Sequence, residues 1–179
     1  MKIYIFDSWR KFWTDAVRHW QEQGHDVKTG IYWGPELVDW ADICIFHPVQ
    51  DNLKKAAAKQ EKPPNTVIIA EAVDIDIYSG HLGGVNWESG YVDALVFYAE
   101  HMKEYAERVY GHKIPPTLPR YVVPGGIDLE RWPIKEPSAS SGYNVAWIGR
   151  LWIAKNLFGA LQVFNQLIKT DPGAPWRMH

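Results

Sequence analysis

Short apolar runs alternate with amphipathic stretches along the chain, and this alternation predicts strands and helices in turn. Residues 2–6 read as a first strand, with Asp7 and Ser8 offering N-cap chemistry behind it. Trp13, Ala16, Val17 and Trp20 then recur at helical spacing, with Arg10, Lys11, Arg18 and Glu22 off that face and Gly24 as the stop. Residues 27–32 read as a second strand, broken at Trp33-Gly34-Pro35, and 36–40 as a helical turn. The run 42–47 is almost wholly apolar, as in a strand buried on both faces. A short Ala/Lys helix over 51–60 stops before Pro63-Pro64, and the β-branched run 66–70 is a fourth strand.

The segment 71–90 breaks the rhythm. It carries four acidic side chains, one histidine and four glycines, and reads as a long loop behind a strand end, where open α/β sheets keep their sites. Beyond it, 92–97 is a fifth strand. Tyr98, Met102, Tyr105 and Val109 mark one helix face closed by Gly111, and 120–123 is a sixth strand. The Pro/Ser-rich stretch 133–142 reads as a linker. After it come the apolar run 145–148, a Gly-Arg turn, and a helix over 156–170 with Leu157, Ala160, Leu161, Phe164, Leu167 and Ile168 as its stripe. Residues 176–179 begin another strand. The expected class is α/β: a Rossmann-like parallel sheet with helices on both faces, plus one strand–helix unit of a second domain. The expected divisions are a first domain over 1–132, a linker over 133–142 and an incomplete second domain over 143–179. One strand–helix unit cannot bury its own faces, so the chain is expected to be a fragment or to fold that unit back on the first domain.

Composition narrows the function. Of 179 residues, 46% are hydrophobic and 22% charged, enough for a packed core. The formal net charge of -2 gives no basic excess for nucleic acid, and no apolar run reaches spanning length. Three cations on the first helix do not make a membrane-docking face. The single cysteine, Cys44, lies in an apolar run and has no internal disulfide partner; a cytoplasmic location is expected. His47, His81 and His101 lack metal-ligand spacing. Ten tryptophans suit stacking on sugars, though most are expected to fill the core.

Three motifs, in order, carry a resemblance. Gln23-Gly24-His25-Asp26-Val27 resembles the L-x-x-x-G-H-E-V lead into the second strand of glycosyltransferases. The stretch from Val122 through Pro124-Gly125-Gly126-Ile127-Asp128 to Trp132 resembles their V-x-P-N-G-V-D-x-x-x-F hinge between two domains. Gly149-Arg150-Leu151 with Lys155-Asn156 resembles their G-R-L-x-x-x-K-(G/N). The chain thus resembles the retaining nucleotide-sugar glycosyltransferases of the GT-B fold, group 1 or family 4, over about half of a member's length. It departs from them in having Asp7-Ser8-Trp9 after the first strand, where many members have a glycine pair. Gly125 also replaces the commoner Asn, and a donor-contacting pair of glutamates seven residues apart is absent.

The resemblance implies two Rossmann-like domains across a cleft, the first binding acceptor and the second the nucleotide-sugar donor. Gly149, Arg150 and Lys155 match the donor-diphosphate site, where fixed cations at a helix start stabilise the leaving group without any required metal or other cofactor. The family often places a histidine just after the fourth strand. Here Glu71 and Asp74 occupy that neighbourhood and His81 follows, so these three are the candidates for base or sugar-hydroxyl contacts. Gly83-Gly84 offers a close backbone approach to a ligand. The implied partners are a nucleotide-sugar and a hydroxyl acceptor, with the chain weak or inactive alone. The rival expectations are a non-catalytic glycan- or partner-binding domain of the same fold, and a GT-B sugar-nucleotide epimerase.

Overall fold

The computed structural model describes residues 1–7, 13–32, 34–59, 61–126, 143–148 and 155–179. The chain divides into two compact units, Met1–Asp128 and Leu129–His179. The expected linker and part of the hinge motif lie outside the described residues.

The first unit holds six strands: β1 (Lys2–Asp7), β2 (Asp26–Gly30), β3 (Ile43–His47), β4 (Val67–Ala72), β5 (Ala94–Phe97) and β6 (Arg120–Val122). All pair in parallel, in the order β2-β1-β3-β4-β5-β6. The helices between them are α1 (Thr14–Glu22), α2 (Pro35–Trp40), α3 (Gln50–Lys59), α4 (Asp74–Tyr78) and α5 (Glu100–Tyr110). The α/β class and the mostly parallel sheet flanked by helices are as the periodicity predicts.

Side chains alternate across each strand, so the sheet has two distinct faces. Tyr4, Phe6, Cys44, Phe46, Ile68, Ala70, Leu95 and Phe97 face the larger core, with Val38 of α2, Leu53 and Ala56 of α3, and Met102 and Ala106 of α5. Ile3, Ile5, Val27 and Ile45 face the other way, against Trp13, Val17 and Trp20 of the α1 segment. The apolar face read for that first helix is the one it buries. Gly24, with φ of 83°, makes the left-handed exit at its end.

Three expectations are corrected. Strand β4 runs two residues past the expected end and includes Glu71, which is therefore a buried strand residue and not a loop residue. The segment behind it is structured: α4 is followed by 3-10 turns at His81–Gly84 and Trp87–Ser89. These turns insert Ile77, Leu82, Val85 and Trp87 into the larger core, and Trp87 Nε1 donates to Leu82 O at 2.9 Å. Core contribution, which a loop reading from polar composition discounts, is what orders them. In α5, Ala106 is buried while Val109 is exposed.

In the second unit, β7 (Asn144–Val145) pairs in parallel with β8 (Arg177–Met178), joined by α6 (Leu157–Thr170). The strand is shorter than the apolar run; Ile148 is exposed. Asn156 caps α6, its side chain accepting from Gly159 N at 3.0 Å. None of the described α6 residues is buried, and Leu161 and Ile168 of the expected stripe are exposed.

Candidate functional site

In a parallel sheet of this order the chain leaves β1 toward β2 on one side and leaves β3 toward β4 on the other. The crevice beyond the carboxyl ends of β1 and β3 is the switch point at which such sheets bind ligands. Asp7 ends β1 and His47 ends β3, and the two are partners in register. Glu71 lies one residue beyond the Phe46–Ala70 pair on β4. By alternation Asp7, His47 and Glu71 share the face carrying Ile5, Ile45 and Ile69, the face of α1. Three polar side chains therefore form a row along the carboxyl edge, and all three are buried.

His47 Nδ1 lies 2.6 Å from Glu71 Oε2. A carboxylate only accepts, so this contact puts a ring proton on Nδ1. Trp13 and Tyr98 meet the His47 ring edge-on, with centroids at 5.8 and 6.4 Å. Tyr98 lies within electrostatic reach of the Glu71 carboxyl. Burial, and then the negative charge of Glu71 and Asp7, holds the Tyr98 phenol well above the usual tyrosine range. It is a neutral phenol at any physiological pH. The edge is rich in acceptors and carries a negative field. A carboxylate accepts from hydroxyl groups, and a phenol both donates and accepts.

The sequence-based candidates separate in the structure. Glu71 belongs to the row. Asp74 is exposed and accepts from Ile75 N at 2.9 Å, a local bond at the start of α4. His81 points to α3: its Nδ1 accepts from Lys54 Nζ at 3.2 Å. No described hydrogen bond joins the three. At Gly84 a Cβ would stand 2.9 Å from Lys54 Cε, and at Gly83 one would stand 3.3 Å from the Tyr110 ring. This glycine pair makes room for packed side chains of its own unit. Gly149 and Arg150 lie outside the described residues. Lys155 is exposed just before α6, and its carbonyl accepts from Trp147 Nε1 at 3.2 Å.

His47, Asp7 and Tyr98 are the residues that spacing rules missed. Their signal is a repeated strand ending: Ile5-Phe6-Asp7, Ile45-Phe46-His47, Ile69-Ala70-Glu71 and Val96-Phe97-Tyr98. Each buried run ends in one polar side chain at the same edge. A separate groove of about 590 Å³, lined by Trp87, Asp93, His112 and the prolines Pro115, Pro116 and Pro119 among others, lies at the amino ends of β5 and β6. That is the edge of a parallel sheet where sites are not built. Among the described residues, no group of three or more His, Cys, Asp or Glu is arranged to hold a metal ion, and no helix is long and apolar enough to cross a membrane.

No protein-family model matches the chain, and no curated protein matches it.

Proposed function

We propose that the chain supplies the acceptor-side domain and the first donor-binding unit of an enzyme that transfers sugar from a nucleotide-sugar to an acceptor hydroxyl. The single observation that carries this reading is the buried row Asp7–His47–Glu71 at the β1/β3 switch point, with Tyr98 beside it. In the reaction the acceptor oxygen bonds to the anomeric carbon, the bond from that carbon to the diphosphate oxygen breaks, and the acceptor proton leaves to a base. Glu71 orients His47 through Nδ1, which in the neutral ring leaves Nε2 as the proton-accepting atom. This supports His47 as the base, in place of the histidine that relatives carry after the fourth strand. Glu71 then acts by orientation, and Asp74 and His81 have no part in the row. The negative edge suits the acceptor. The diphosphate belongs with Gly149, Arg150 and Lys155, whose motif supports the donor reading.

One observation favours a second reading. The His47 and Glu71 side chains are 1% and 8% exposed. A pair so covered also fits a non-catalytic binding domain in which it is a polar piece of the core.

The donor half is tested by titrating UDP, GDP and ADP into the chain, the Arg150→Ala variant and the Lys155→Ala variant. Each substitution removes a charge-assisted contact of about 1.5–3 kcal/mol, so each is expected to weaken the best nucleotide by roughly 10- to 100-fold. Equal binding by wild type and both variants contradicts a diphosphate site at this turn.

A further inference from the structure

We propose that Asp76 is the positioning residue of the His47–Glu71 pair, an inference that rests on the functional reading of that pair only for its bearing on catalysis. Asp76 is fully buried and is the third residue of α4. Its Oδ2 accepts from Val49 N and from Val73 N, each at 3.1 Å. Val49 stands two residues after His47, and Val73 two residues after Glu71. One carboxyl oxygen therefore ties together the chain leaving β3 and the chain leaving β4, each at the same step beyond a member of the pair.

The β3–β4 ladder does not fix the spacing of these two strands at this edge, although His47 pairs with Asp7 on β1 and Glu71 with Val96 on β5. The β3–β4 register runs from Ile43–Val67 to Phe46–Ala70 and stops there, so His47 and Glu71 lie beyond the last register pair. A hydrogen bond of 2.6 Å between side chains tolerates little drift of either backbone. The Asp76 bridge adds a direct link between the chains leaving β3 and β4, just outside their ladder. A carboxyl at zero exposure is costly unless its oxygens are satisfied, and an apolar residue would fill the same space more cheaply. Its placement is explained by what it joins. Asp74, two residues earlier, shows the contrast: it is exposed and bonds only its neighbour's amide among the described hydrogen bonds.

The test reads the ring nitrogens of His47 by 15N NMR in the 179-residue chain, with backbone amide spectra to certify the fold. In wild type the Nδ1 shift is expected to be that of a protonated nitrogen held by Glu71. Asp76→Asn keeps an oxygen acceptor for the two amides and is expected to leave the ring shifts in place. Asp76→Ala removes the acceptor and is expected to mix the tautomers while the sheet amides stay dispersed. If Asp76→Ala does not fold, Asp76→Glu replaces it, since the added methylene pushes the acceptor off the meeting point of the two N–H groups. Unchanged His47 shifts in a folded Ala or Glu variant overturn the proposal, as do mixed tautomers in a folded Asn variant. Failure of wild type to bind any nucleotide or sugar would count against the functional reading and leave this result standing.

Discussion

His47 Nδ1 and Glu71 Oε2 meet at 2.6 Å, across the carboxyl ends of two adjacent parallel strands, with almost no solvent around either side chain. A histidine and a carboxylate so placed act as one unit: the carboxylate fixes the tautomer, and the ring satisfies an acid that burial would otherwise penalise.

The energetic coupling of the pair is the first consequence. Replacing His47 by Ala leaves a buried carboxylate short of a donor, and replacing Glu71 by Ala leaves a buried ring N–H short of an acceptor. Each is expected to cost roughly 1.5–3 kcal/mol or more in urea unfolding. The double variant is expected to cost clearly less than the sum, because the second deletion removes a group already orphaned. Additive costs would mean that the contact carries no coupling.

Alkaline stability depends on Cys44. Burial pushes its thiol from 9.0 up to about 12. The folded chain thus holds a proton that the unfolded chain releases. The stability from this group is fully present below pH 9 and is lost as pH rises toward 12, by up to about 4 kcal/mol at 1.36 kcal/mol per pH unit. Tyr4, raised from 10.0 to about 12 by burial first and then by Cys44 and Glu36, adds to the same slope above pH 10. Unfolding curves at pH 8, 9 and 10 are expected to show a shallower decline for Cys44→Ala than for wild type. Equal slopes would contradict the assignment to Cys44.

Much of the first unit was legible in the sequence, for a physical reason. Apolar runs such as Ile43–Phe46 and the stripe Trp13, Val17, Trp20 report burial directly, and burial is what builds the layers. The segment after β4 was harder to read. Its helix and 3-10 turns are short and rich in Asp and Gly, and only their scattered Ile77, Leu82 and Trp87 reach the core. The site was half legible. Glu71 stood out by its charge next to a strand. His47 was weighed only as a metal ligand, for which its spacing is wrong, because a pair formed across strands leaves no spacing signature. Its partner is 24 residues away, and the adjacency of β3 and β4 in the sheet brings them near each other. The parallel endings of β1 and β3, Ile-Phe followed by Asp in one and by His in the other, are the available clue.

In the proposed function the carboxyl edge of β1, β3 and β4 receives the hydroxyl acceptor. Amide and ring chemical-shift mapping of the 15N-labelled chain with a panel of neutral mono- and oligosaccharides tests it most directly. The account predicts saturable shifts concentrated at Asp7, His47–Val49, Glu71–Val73 and Tyr98 for at least one sugar, abolished in His47→Ala. No saturable shift with any sugar, or shifts confined to the groove between Trp87 and Pro119, would contradict it.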